Sequence, residues 1–131
     1  MKIVAGLGSI DEYIPYVLAG ADELFCGYVP YNWTKKYGTV LPLNRREVLA
    51  YNVHLGSFGE LEILSAMIRK YRKPVHIAMN SLYYIPEQYE EIADIVKQCM
   101  KIGFDSFILA DPALILYLRQ KGISCKIHLS G

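Results

Sequence analysis

Apolar and polar positions recur along this chain in one repeated phrase: a helical stretch, a glycine, a short polar hinge, then an apolar run rich in β formers. The phrase occurs as AGADELFCG, IGFDSFILAD and KGISCKIHLS. Gly20, Gly103 and Gly122 stand where a helix ends in the left-handed conformation that glycine reaches cheaply. In a fourth junction, KYRKPVHIAMN, Pro74 stops the helix instead. Ser9 with Glu12 and Ser57 with Glu60 have capping-box spacing, which predicts hydroxyl and carboxylate satisfying orphan amides reciprocally. Asp111 before Pro112 predicts an N-cap with proline in the first turn.

These signals predict strands at about 3–7, 23–27, 75–80, 105–110 and 125–129, and helices at 10–19, 58–72, 87–102 and 113–121. Strict alternation of strand and helix implies parallel strands with right-handed crossovers. The strands are two-sided. Val75, Ile77 and Met79 oppose His76, Ala78 and Asn80, and Cys125, Ile127 and Leu129 oppose Lys126, His128 and Ser130. Central strands of a doubly wound sheet are apolar on both faces, so this pattern favours a barrel with helices outside and a partly polar lumen inside. By the same parity Glu23 and Asp111 are expected to face the lumen. Glu23 and Lys126 are expected near the barrel floor as a buried ion pair.

The expected fold is therefore α/β, a parallel TIM-barrel-like (β/α) architecture of five strands and four helices. A closed barrel takes roughly 250 residues, and 131 residues amount to about half of that. Residues 1–131 are expected to form one partial barrel domain, with 28–56 as a long loop or small hairpin inserted after the second strand. Open sheet edges invite self-association. Either two copies close the sheet or the sequence is part of a longer product, and the stop at Gly131, straight after a strand, favours the second expectation.

Composition narrows the partners. Fourteen Lys and Arg against thirteen Asp and Glu give a net charge of +1, which supplies no bulk attraction for a polyanion or an anionic membrane. The N-terminal segment has the form of neither a signal peptide nor a spanning helix, so no membrane association and a cytoplasmic location are expected. Cys26, Cys99 and Cys125 are too widely spaced for a metal knuckle and are expected as buried core residues.

Candidate chemistry gathers where such a fold carries it, at the C-terminal strand ends. Asn80, Asp111, His128 and Ser130 fall there. An imidazole near neutrality suits His128 to acid, base or metal-ligand duty, or to a hydrogen-bonded structural role. Asp111 is explained by helix capping alone, or by catalysis. Ser130 and His128 lie two residues apart on one strand without a third orienting group, so no triad is expected. Tyr83 and Tyr84 follow on a mouth loop and could line a pocket or simply pack. The insertion interleaves Tyr28, Tyr31, Trp33, Tyr37 and Tyr51 with Lys35, Lys36, Arg45, Arg46, Asn52 and His54. Such rings either pack on the barrel mouth or stack a planar ligand or RNA base.

Five stretches taken in order, AGADELFCG, LNRREVLAYN, VHIAMNSL, FDSFILADPALI and KIHLSG, resemble the collagenase-like peptidases of unknown catalytic mechanism. The resemblance implies the N-terminal half of a barrel and a peptide or protein substrate. It marks Arg45, Arg46, Asn52, Asn80, Asp111 and His128 as site positions. Some members of that family are reported proteases. Others are iron-sulfur proteins that help hydroxylate RNA bases or a quinone precursor, so the alternative implied is RNA as substrate, with a cluster in a longer parent. The cysteine-rich signature of the family lies beyond the fifth strand and is not in this sequence, so no cofactor is expected within these residues. A third expectation is a non-catalytic half-barrel that assembles with a second half.

Overall fold

The strands of the computed structural model, which describes residues 1–38, 41–45 and 54–130, all run parallel in one sheet. In chain order the elements are β1 (Val4–Gly6), a 3-10 turn (Ile10–Glu12) leading into α1 (Tyr13–Leu18), β2 (Glu23–Tyr28), α2 (Tyr31–Tyr37) and β3 (His54–Leu55). There follow α3 (Phe58–Tyr71), β4 (Val75–Met79), α4 (Pro86–Lys101), β5 (Ser106–Leu109), α5 (Pro112–Gln120) and β6 (Lys126–Leu129).

The sheet order is β1-β2-β4-β5-β6, with the short β3 also on β2. Gly27 pairs with His54 of β3 and with Ala78 of β4, so β3 takes up the edge of β2 beyond the end of β1. Neighbours in space are therefore neighbours in sequence, apart from that short addition. A doubly wound sheet reverses its strand order at a switch point; this one never does. Right-handed crossovers that always advance the same way leave every helix on one side, which is the wall of a (β/α) barrel. Among the described residues the wall stays open, with β1 at one edge and β6 at the other.

Side-chain burial reports the same two faces. Leu24, Cys26, Ile77, Met79, Phe107 and Leu109 point to the helices and are fully buried against Leu61, Leu64, Ile92, Val96, Leu114 and Leu118. The opposite parity carries Glu23, Phe25, His76, Asn80, Ser106, Ile108, Lys126, His128 and Ser130. All three cysteines are buried as reduced thiols. Burial pushes the Cys99 thiol up to about 12, which makes it an apolar filler and a poor nucleophile.

Local signals form with one correction. Gly103 has φ +110° and closes α4 as expected, and a Cβ there would meet the Ser65 hydroxyl at 3.3 Å. The two capping boxes close differently. At the first, Glu12 accepts from the Gly8 and Ser9 amides at 2.6 and 3.0 Å, where the chain enters a 3-10 turn before α1. At the second box Ser57 caps the Glu60 amide at 3.2 Å, and Glu60 turns back to the Ser57 hydroxyl instead of its amide.

The insertion, expected as a loop or small hairpin, carries two short elements besides the irregular residues 41–45. It holds helix α2 and the strand β3, which lies parallel to β2. Trp33 anchors α2, only 1% exposed, with its indole N–H donating to the Leu41 carbonyl at 3.1 Å. Tyr37 and Lys36 both reach Glu91 on α4. Burial alone would raise the Glu91 carboxyl; these two donors outweigh it and hold it below its ordinary value. Tyr28, Trp33 and Tyr37 therefore pack, and Tyr31 stays exposed.

Candidate functional site

Two polar clusters occupy the lumen face at different heights. The lower one centres on His76, near the N-terminal end of β4. Its Nδ1 lies 2.6 Å from the Ser106 hydroxyl and its Nε2 lies 3.0 Å from Glu23 Oε1. Glu23 also meets the Lys2 ammonium at 3.3 Å. The hydrogen bond from His76, followed by that from Lys2, holds the Glu23 carboxyl below its ordinary value. The expected Glu23–Lys126 pair does not form. Lys126 is three strands away across the sheet and lies exposed, 3.9 Å from Asp105. Parity had put both residues on one face, but only register sets their separation.

The His128 ring stacks on His76 with centroids 4.4 Å apart and planes tilted by 49°, which carries the cluster upward toward the mouth. His128 itself is exposed. No hydrogen bond joins it to Ser130 among the described residues, so the two do not compose a nucleophile and base.

The upper cluster lies at the C-terminal strand ends. Segment 41–45 is drawn over the mouth by three contacts. The Ser81 hydroxyl donates to the Pro42 carbonyl at 2.8 Å, and the Tyr84 hydroxyl lies 2.6 Å from the Leu43 carbonyl and 2.8 Å from that of Met79. The third is the Trp33 indole on Leu41. This delivers Arg45, whose amide donates to Asn80 Oδ1 at 3.1 Å and whose guanidinium donates to the Ser130 hydroxyl. Asn80 Nδ2 approaches the same hydroxyl at 3.4 Å. Three side chains from three separate parts of the chain thus converge, each drawn from the residues expected at the site. Tyr83 stands at the edge of this mouth, 75% exposed.

Asp111 is elsewhere, which corrects its expected lumen orientation. Ala78 pairs with Ile108, and Ser106 touches His76, so the odd-numbered residues of β5 and Asp111 after them face the helices. Asp111 accepts from the Ala113 amide at 2.9 Å as the N-cap of α5 and from the Tyr89 hydroxyl of α4 at 3.4 Å. Burial, then the Asp111 carboxylate, raises the Tyr89 phenol. Arg46, Asn52 and Tyr51 lie outside the described residues.

The sequence reading missed Ser106 and the clamp made by Ser81 and Tyr84. For Ser106 a signal existed: it shares parity with Ile108 in a strand whose other face is Phe107 and Leu109. The clamp had none, because it joins residues about forty positions apart.

Cys26 lies in β2, Cys99 in α4 and Cys125 just before β6, all three buried. No group of three His, Cys, Asp or Glu able to hold a metal occurs among the described residues. Among the described residues these thiols do not compose a ligand set for an iron-sulfur cluster.

A parallel (β/α) wall with polar side chains converging at its C-terminal mouth belongs to the barrel class of α/β proteins, whose ligands bind at that end. The chain belongs to peptidase family U32, whose family model matches residues 8–131. Among solved structures, that of the U32 peptidase Mk0906 superposes with a TM-score of 0.60 at 14% identity. The match covers 99% of this chain and 49% of that one, so this chain spans about half the length of its structural relative. At that identity the likeness speaks for the fold. No curated protein sequence matches the chain. No helix among the described residues is long and apolar enough to cross a membrane.

Proposed function

We propose that this chain supplies the substrate-gripping half of a peptide-hydrolysing barrel, closed by a second half that this sequence does not provide. The observation that carries the reading is the convergence of Arg45, Asn80 and Ser130 at the mouth. A guanidinium and a carboxamide N–H aimed at one hydroxyl oxygen form a donor set. A peptide carbonyl that displaced or joined that hydroxyl would meet the same two donors, one of them charged. Family membership supports the reaction class.

Roles divide by chemistry. Arg45 and Asn80 orient the substrate carbonyl. Ser130 holds their geometry before substrate arrives, since no base stands beside it among the described residues. His128, exposed on the lumen face below the mouth, is the acid or base that a bound substrate would meet from beneath.

The test is peptide or gelatin cleavage by the closed barrel, meaning these residues together with the second half. Arg45→Ala and Asn80→Ala should raise KM by about tenfold or more with a smaller effect on kcat, as loss of binding does. His128→Ala should lower kcat by about a hundredfold with KM nearly unchanged. Absence of peptide cleavage by the unaltered protein, or cleavage indifferent to Arg45 and Asn80, removes the proposal. Iron in the anaerobically purified protein together with loss of RNA-base hydroxylation on deletion would transfer it to the RNA-modifying branch.

A further inference from the structure

Beside the mouth, segment 41–45 and the stretch from Ser81 to Gln88 enclose a cleft of about 200 Å³. Its walls are apolar: Leu41, Pro42, Leu82, Tyr83 and Ile85. Leu82 and Tyr83 are 64% and 75% exposed, so the outer rim presents apolar surface to water. At the other extreme of exposure is Gln88, polar and only 1% exposed.

The Gln88 carboxamide is fixed in orientation. Its Oε1 accepts from the Ile85 amide at 3.0 Å, and that amide precedes Pro86 at the start of α4, where backbone donors have no partner in the helix. Rotating the carboxamide would set its N–H₂ against that N–H. The Nε2 group is therefore held pointing away from Ile85, and it has no hydrogen-bond partner among the described residues. Buried donors are nearly always satisfied in folded proteins. Gln88 lines the cleft, and its unpartnered Nε2 lies beneath that lining, so an acceptor reaches it once a side chain of the wall gives way.

We infer that this cleft is a specificity pocket for a substrate side chain with an apolar body and an oxygen acceptor at its tip, tyrosine being the natural fit. The inference rests on the peptide-substrate reading above and names the side chain that reading leaves open. At about 200 Å³ the cleft is smaller than the roughly 300–1,000 Å³ of sites that take drug-sized ligands. One ring fits the size; a cofactor does not. Its rim includes Arg45 and Ser81, the latter next in sequence to Asn80, so a peptide gripped at the mouth has this pocket within one residue's reach. With the lining shifted to admit it, the phenol oxygen would accept from Gln88 Nε2, and its ring would cover Leu82 and Tyr83. Phenylalanine would fill the same space and leave the donor unmatched. A site built around a buried polar group rejects the analogue that lacks its partner far more strongly than an apolar pocket rejects a missing methylene.

The chain labelled with ¹⁵N, titrated with N-acetyl-tyrosinamide and separately with N-acetyl-phenylalaninamide, tests this. The tyrosine compound should bind at least about tenfold more tightly, and should shift the Gln88 side-chain amide and the backbone of residues 82–88. Gln88→Met, close in volume but without the donor, should bring the ratio of the two affinities to about one. The ratio within the unaltered chain keeps the test decisive even if that variant folds poorly. Equal affinities for the two compounds, shifts confined to other parts of the molecule, or a tyrosine preference that survives in Gln88→Met would each overturn the pocket. Selective binding in a protein that cleaves no peptide would leave the pocket standing and remove only the hydrolase reading. Cleavage with no preference for tyrosine would do the reverse.

Discussion

At the scale of single residues, His76 shows how a polar group is kept inside an otherwise apolar fold. It is 8% exposed, and both ring nitrogens have partners, Ser106 and Glu23. Glu23 responds in its ionisation, held below the ordinary 4.5 by His76 and then Lys2. A carboxyl with a depressed folded value stabilises the fold above the unfolded value, and that contribution disappears as pH falls through the folded one. Glu23→Gln should therefore cost stability at pH 6 and progressively less below about pH 4.5. Urea midpoints of the two proteins between pH 3 and 6 would converge on acidification; a constant gap would show that the charge contributes nothing. Parity along the strand gave the face of Glu23 and His76. It could not give the identity of their partners, because Ser106 and Lys126 share that face too, and only the staggering of parallel strands brings one close and leaves the other remote.

Among elements, the outer helices and strands follow from short-range signals, while the mouth follows from a clamp. Helix ends at Gly20, Gly103 and Gly122 adopt positive φ as their sequence requires. Asp111 caps α5, again a local matter. Segment 41–45 has no such local code. Its path depends on the hydroxyls of Ser81 and Tyr84 and the indole of Trp33, all from other elements. Tyr84→Phe keeps the ring and removes only the hydroxyl that spans the Leu43 and Met79 carbonyls. It should cost about 1 kcal/mol and loosen the segment. Hydrogen exchange at the Arg45 amide, which donates to Asn80, should accelerate relative to amides in the middle of α3. Unchanged exchange at Arg45 would mean that the clamp does not hold the mouth together.

At the scale of the whole molecule, the described residues form an unfinished circle. Ile3 and Val4 along one edge are 52% and 54% exposed, and Leu129 at the other is 76% exposed. Unpaired parallel edges with apolar side chains are templates for further pairing. The chain alone should self-associate with rising concentration. Leu129→Lys, placing on the edge the charge that natural sheets use to prevent such pairing, should shift sedimentation toward the monomer. Monomeric behaviour of both proteins at the same high concentration would show that the edges are already protected.

Alternating polarity and helix punctuation determined, without any contact being known, that five parallel strands line one wall with helices outside and polar groups within. Both are properties of residues close together in the chain, and a period of two or of 3.6 survives any arrangement of the elements. Tertiary structure decided the rest: that Arg45 meets Asn80 and Ser130, that His76 and not Lys126 answers Glu23, that Asp111 turns to the helices, and that Gln88 keeps a donor open beside the mouth. Those depend on register and on segments brought together across dozens of residues, where geometry between elements, rather than order along the chain, selects the partner.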